Sequence, residues 1–131
     1  MKNTIFKLLE YSYYFSLLIL FILYLFPGSL IGYLLYGNLG QQPNLISNPI
    51  DTSINHLIFF FYLTILGLVV RLKYQNFLNS FTFLFSLSIL LELVHCLIPN
   101  RAFEFYDLFA NSIGAVIAYS LINIFLKLKI K

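Results

Sequence analysis

Four long apolar runs separated by short polar breaks set the order of the chain. The first, counted from Ile5, reaches about residue 26, and roughly 20 apolar residues suffice to cross a bilayer core. Lys7 and Glu10 stand three residues apart near its start. Lys2 and Lys7 ahead of an apolar run resemble a secretory leader, but Pro27-Gly28-Ser29 offers no small-x-small cleavage site, so a retained first helix over 5–26 is expected. Pro27-Gly28 ends that run. The apolar piece over 29–37 is too short to span and is expected as an interfacial or kinked helix, with Tyr33 and Tyr36 at headgroup level.

Residues 38–55 are rich in Gly, Gln, Asn, Pro and Ser and read as loop. His56 opens a second run, 56–72, that ends at Arg71 and Lys73. The linker over 73–76 is so short that the third run, 77–98, must return antiparallel. That run carries Asn79, Ser80, Thr82, Ser86 and Ser88, polar groups that a membrane helix bonds to its own carbonyls or to its neighbours. Pro99-Asn100 closes it, and a fourth run, 103–126, precedes Lys127, Lys129 and Lys131. The expected fold class is all-α: a polytopic integral membrane bundle of four transmembrane helices. It forms a single domain over 1–131, with outer loops at 27–55 and 99–102.

Composition supports this pattern. The chain is 60% hydrophobic, 19% aromatic and only 10% charged, against about 25% charged for a soluble domain. Its net charge of +3 comes from ends and loops, with no basic patch interleaved with aromatics, so nucleic acid is excluded as a partner and membrane lipids are expected. Cys96 has no second cysteine to pair with and is expected as a small buried hydrophobe.

Charge then orients the bundle. Four crossings place Lys2, Lys7, Arg71, Lys73, Lys127, Lys129 and Lys131 on one side, seven of the eight basic residues, and leave Arg101 on the other. The positive-inside rule makes the lysine-rich side cytoplasmic, with both termini there, in the cell membrane. Three crossings would separate Lys2 and Lys7 from the rest.

The outer side then receives Asp51, Glu92, Glu104 and Asp107, four of the five acids, and both histidines, His56 and His95. Ser88, Glu92 and His95 share one face of the third helix. Glu92 precedes Pro99 by seven residues, roughly 10 Å along a helix axis, which puts it below the headgroups. There an unpartnered carboxylate costs about 2.5–3.5 kcal/mol, so Arg101 or His56 is an expected neighbour. Glu104, Asp107, Asn111, Gly114 and Ala118 fall on one face of the fourth helix, and Ala110, Gly114 and Ala118 form a small-residue ridge for close packing. Asn100 is the expected cap of that helix. Tyr11, Tyr13, Tyr14 and Tyr119 are expected to anchor or pack.

Asn55-His56, Glu92-x-x-His95, Pro99-x-Arg101, Asp107-x-x-x-Asn111 and Gly114, in this order over roughly residues 50–120, resemble the VanZ-like membrane proteins. That family is named for a teicoplanin-resistance accessory protein. It commonly has glutamine where His95 stands, and Asp-Lys where this chain has Ile54-Asn55. The resemblance implies a multi-pass helical bundle of the cell envelope.

Four functions compete. In the first, the outward cluster binds or acts on an amphiphilic envelope molecule. His56, Glu92 and Asp107 are its candidate catalytic residues, and Arg101, His95, Glu104 and Asn111 its substrate-binding ones. Arg101 clamps an anionic headgroup, while Asp107 and Asn111 orient the proton-handling groups. The alternative is a non-catalytic accessory or scaffold whose polar residues only hold helices together. A metal site of His56, His95, Glu92 and Asp107 has suitable ligand types, but the family's glutamine at His95 speaks against it, and no metal or cofactor is expected. A transporter lacks a polar path through the cytoplasmic half. Oligomeric state is left open.

Overall fold

A computed structural model describes residues 2–43 and 53–129; Asp51, assigned above to the outer side, lies outside them. The described chain is all-helical. Helix α1 (Lys2–Leu25) runs 24 residues and stops ahead of Pro27, where Gly28 takes a φ of 88°. The short apolar piece forms its own seven-residue helix, α2 (Leu30–Tyr36). Ser29 Oγ accepts the Gly32 N–H at 2.9 Å to cap its start, and Gly37 ends it in the left-handed conformation. The loop folds back onto α2 so tightly that a Cβ on Gly32 would lie 1.6 Å from the Gln41 carbonyl oxygen.

Helix α3 (Ser53–Arg71) is the central element, touching α1, α4 and α5. The third apolar run is not one continuous α-helix. A one-turn 3-10 segment (Phe77–Asn79) precedes α4 (Phe81–Val94), and a second (His95–Leu97) follows it. Polar groups cause the first break. Asn76 Oδ1 accepts from Leu78 N, while the buried Asn79 side chain accepts from Asn76 N and donates to the Tyr74 carbonyl. Ser80 then caps α4. At the other end Pro99 forces Ile98 into extended backbone, so the last turn tightens and stops. The 14 residues of α4 span about 21 Å at 1.5 Å per residue, short of a hydrocarbon core of about 30 Å. Among the described residues, three helices, beginning at Asn3, Ser53 and Phe105, are long and apolar enough to cross a membrane.

Helix α5 (Phe105–Lys129) begins later than 103 and is not capped by Asn100. Asn100 sits in the turn with a φ of 59°, and the first helical N–H groups, of Asp107 and Leu108, donate to the Glu104 carbonyl. Cys96 is exposed rather than buried.

The core joins Tyr13, Leu17, Leu20 and Tyr24 of α1 to Phe60, Leu63 and Leu66 of α3 and Leu84, Leu87 and Leu91 of α4. Tyr13 is a packing residue whose hydroxyl donates to the Leu78 carbonyl. Helix α5 packs on α3, with Gly114 against the α3 backbone at Leu57 and Phe61; Ala110 and Ala118 of the small-residue ridge are buried, as is Ala115. Its other face leaves Phe105, Phe109, Ile113, Val116 and Phe125 exposed, as suits a helix solvated by lipid.

Candidate functional site: a buried polar corner

Four helix ends meet at one level of the bundle. Tyr24 lies in the last turn of α1, His56 in the first turn of α3, Glu92 in the last turn of α4, and Asp107 and Asn111 in the first turns of α5. All five are buried, Glu92 and Asn111 completely. Because lipid and core supply no hydrogen bonds, each polar atom needs a protein partner or a ligand.

Most have one. The Tyr24 hydroxyl donates to Asn111 Oδ1 at 2.8 Å and lies 2.6 Å from His56 Nδ1. His56 Nε2 faces Asp107 Oδ2 at 3.4 Å, and Asp107 Oδ1 accepts from Ser53 Oγ. Asn111 Nδ2 donates to the Ser88 carbonyl at 3.4 Å. Glu92 Oε1 lies 3.2 Å from His95 Nδ1 and accepts the Glu104 backbone N–H at 3.1 Å. The His95 ring stacks on Tyr24 with centroids 5.2 Å apart. Two buried atoms of the corner, Glu92 Oε2 and His95 Nε2, have no partner among the described residues.

The structure thus brings together His56, Glu92, Asp107 and Asn111, with His95 beside Glu92. Glu104 contributes its backbone N–H to the corner, while the residue itself is exposed, just ahead of the start of α5 at Phe105. Arg101 forms no ion pair with Glu92 or Asp107 among the described residues. It donates through Nη2 to the Leu23 carbonyl at 2.7 Å and through Nε to the Phe26 carbonyl at 3.4 Å, satisfying acceptors at the end of α1. Burial lowers its pKa from the ordinary value, opposed by nearby Tyr24, Glu92 and Asp107. Sequence reasoning missed Tyr24 and Ser53. The signal that would have found Tyr24 is its position three residues, about 4.5 Å along a helix axis, before the Pro27 break.

His56, Glu92 and Asp107 each bring one ligand-type atom within 4.8 Å of the others, and His95 stands outside that trio. Two cavities open beside it. One of about 180 Å³ is polar, with His95, Arg101, Glu104 and Asp107 in its wall. The other, about 440 Å³, runs along Leu30, Ile31, Leu35, Ile58 and Phe59 and reaches His56 and Tyr24. Ser29, Gln42, His95 and Arg101 line both. Asn55 anchors the loop at the second cavity by donating to the Pro43 carbonyl at 2.8 Å.

The sequence profile described as VanZ/LLP1 matches residues 12–126. The chain belongs to the VanZ/LLP1 family. The match includes every residue of the corner, and it extends the resemblance seen over 50–120 onto α1, which supplies Tyr24. With its long apolar helices, this VanZ/LLP1 member is a membrane protein. No curated protein and no solved structure matches the chain.

Proposed function

We propose that this VanZ/LLP1 protein crosses the cell membrane four times, with both termini cytoplasmic, and binds an amphiphilic envelope molecule at its outward corner. The wall shared by the two cavities carries this reading. A headgroup in the polar cavity faces the Arg101 guanidinium and the unpartnered His95 Nε2, while an acyl or isoprenoid tail lies along Leu35, Ile58 and Phe59. Glu104 and Asn111 belong to the binding surface and its support. His56, Glu92 and Asp107 form the candidate reacting centre behind the headgroup, with Tyr24 and Asn111 orienting His56. The short α4 completes a fourth crossing when its two flanking 3-10 turns are included, covering 77–97.

Lys73 supports the orientation. Its ammonium donates to Asn3 Oδ1 and sits 5.4 Å over the Phe6 ring, so the α3–α4 turn and the start of α1 share the end opposite the corner. Cysteines placed at exposed Ala102 and Gln75 in a Cys96→Ser background test this with a membrane-impermeant maleimide on intact cells. Ala102→Cys is expected to label and Gln75→Cys to stay unlabelled until lysis; the reverse pattern overturns the orientation.

Leu35→Trp tests the ligand. Leu35 is 61% exposed in α2 and lines the tail cavity, so a bulky ring there blocks the cavity without disturbing the core. Mass spectrometry of lipids retained by detergent-purified protein should show anionic amphiphiles bound to the native chain and about tenfold weaker retention by Leu35→Trp. Equal retention favours the accessory or scaffold reading. The bonds of the Tyr24 hydroxyl to α5 and α3 give that reading its own support.

A further inference from the structure

Around the buried centre, three side chains each have one polar atom engaged and one left over. Asp107 Oδ1 is taken by Ser53 Oγ, which leaves Oδ2 facing His56 Nε2 at 3.4 Å. Glu92 Oε1 accepts from the Glu104 backbone and lies against His95 Nδ1, while Oε2 has no partner among the described residues although the side chain is fully buried. His56 is settled by its neighbour. Tyr24 has one hydroxyl proton and donates it to Asn111 Oδ1, whose amide orientation is fixed by donation to the Ser88 carbonyl. The Tyr24 oxygen therefore accepts from His56 Nδ1–H, and the neutral ring carries its lone pair on Nε2.

That assignment sets a lone pair against a carboxylate oxygen between two buried side chains. At 3.4 Å the pair is longer than the roughly 2.7–2.9 Å of a charge-assisted hydrogen bond. An imidazolium would supply one positive charge for two buried carboxylates and leave Glu92 Oε2 unsatisfied. A divalent cation neutralises both carboxylates, takes the Nε2 lone pair and needs no proton. The spacing agrees: two ligands about 2.0–2.1 Å from a tetrahedral zinc lie about 3.3–3.4 Å apart, which is the His56–Asp107 separation. A carboxylate oxygen of Glu92 lies within 4.8 Å of a ligand atom of each of the other two residues.

We propose that His56 Nε2, Asp107 Oδ2 and the Glu92 carboxylate hold one divalent transition-metal cation, with zinc the best fit to the donor set and spacing. Tyr24 and Ser53 orient two of the ligands, as outer-shell partners of metal-bound histidine and carboxylate do. His95 is not a ligand; its near nitrogen faces Glu92 Oε1. Three protein ligands leave a position open, the arrangement of zinc sites that take up water or a substrate atom. His56 lines the apolar cavity and Asp107 the polar one. The cation site stands whether or not an amphiphile binds.

The test uses the full-length protein in detergent, stripped with a chelator, desalted and titrated with Zn²⁺ or Co²⁺. The native chain is expected to retain about one zinc per chain and to melt about 5 °C or more higher with zinc, followed by circular dichroism because the chain has no tryptophan. Co²⁺ is expected to add the visible absorption bands of a tetrahedral centre. His56→Gln and Asp107→Asn should weaken zinc binding at least about tenfold, while His95→Gln and the exposed-site variant Glu104→Gln keep it. Less than about a tenth of a zinc per chain in the native protein, or zinc bound equally by the His56 and Asp107 variants, overturns the site. Loss of zinc in His95→Gln overturns the ligand assignment. Zinc binding is read independently of retained lipid, so failure of one proposal leaves the other standing.

Discussion

Replacing Gly114 by alanine should lower the melting temperature of the bundle by about 5 °C or more, the equivalent of roughly 1–3 kcal/mol of overpacking. A Cβ there would lie 2.5 Å from the Leu57 carbonyl oxygen and 3.0 Å from the Phe61 nitrogen. Both atoms belong to the α3 backbone, which has no rotamer to change, so relief requires α5 to move off α3. Gly67 makes the useful contrast. A Cβ on Gly67 would meet Tyr13 Cε2 at 2.8 Å and Leu84 Cδ1 at 3.0 Å, which are side-chain atoms and not backbone. Gly67→Ala should therefore cost less than Gly114→Ala, and Val116→Ala on the exposed face of α5 should stay within about 0.5 kcal/mol of native. The effect of Gly114→Ala should also reach the polar corner, because α5 supplies Asp107 and Asn111 while α3 supplies His56. Circular-dichroism melts in one detergent rank the three variants. A native melting temperature for Gly114→Ala would refute the close approach of the two backbones.

Helices α1, α3 and α5 were legible because each is a long apolar run bounded by lysine, arginine, proline or loop, a signal that no tertiary contact needs to supply. The interruption of α4 was not. Asn79 and Ser80 read as polar groups that a membrane helix tolerates, whereas the structure uses them as caps, Asn79 from a fully buried position. The same limit applied to Arg101, whose partners are the Leu23 and Phe26 carbonyls; a backbone oxygen has no signature in the residue that carries it. His56, Glu92, Asp107 and Asn111 were candidates because the charge-set orientation gathered them on one side, and helical periodicity placed Glu92 on one face of its helix and Asp107 with Asn111 on one face of theirs. Tyr24 escaped notice because it is one of ten tyrosines, several in the same helix, and its neighbours look like interfacial anchors. Glu104 was drawn onto the inner face only by starting α5 at 103; beginning at Phe105, the helix presents the backbone N–H of Glu104 instead of its carboxylate.

Glu92 separates what holds the corner together from what its charge is for. Its Oε1 accepts the Glu104 backbone N–H and faces His95 Nδ1, tying the end of α4 to the entry of α5. Glu92→Ala leaves these buried groups without that oxygen, at about 1–3 kcal/mol for each stranded group, and opens a void where a fully buried side chain stood. A loss of about 3–5 kcal/mol is expected, enough to reduce the abundance of folded protein. Glu92→Gln keeps an acceptor oxygen in the Oε1 position and places an amide where Oε2 has no partner among the described residues. It removes the charge and leaves the two contacts, so its melting temperature should fall within a few degrees of native while any function that needs an ionised carboxylate is lost. If Glu92→Gln melted as low as Glu92→Ala in parallel circular-dichroism scans, the negative charge itself would be the structural element. The partner balancing that charge would then have to be sought in His56 and Arg101, not in the two contacts to Oε1.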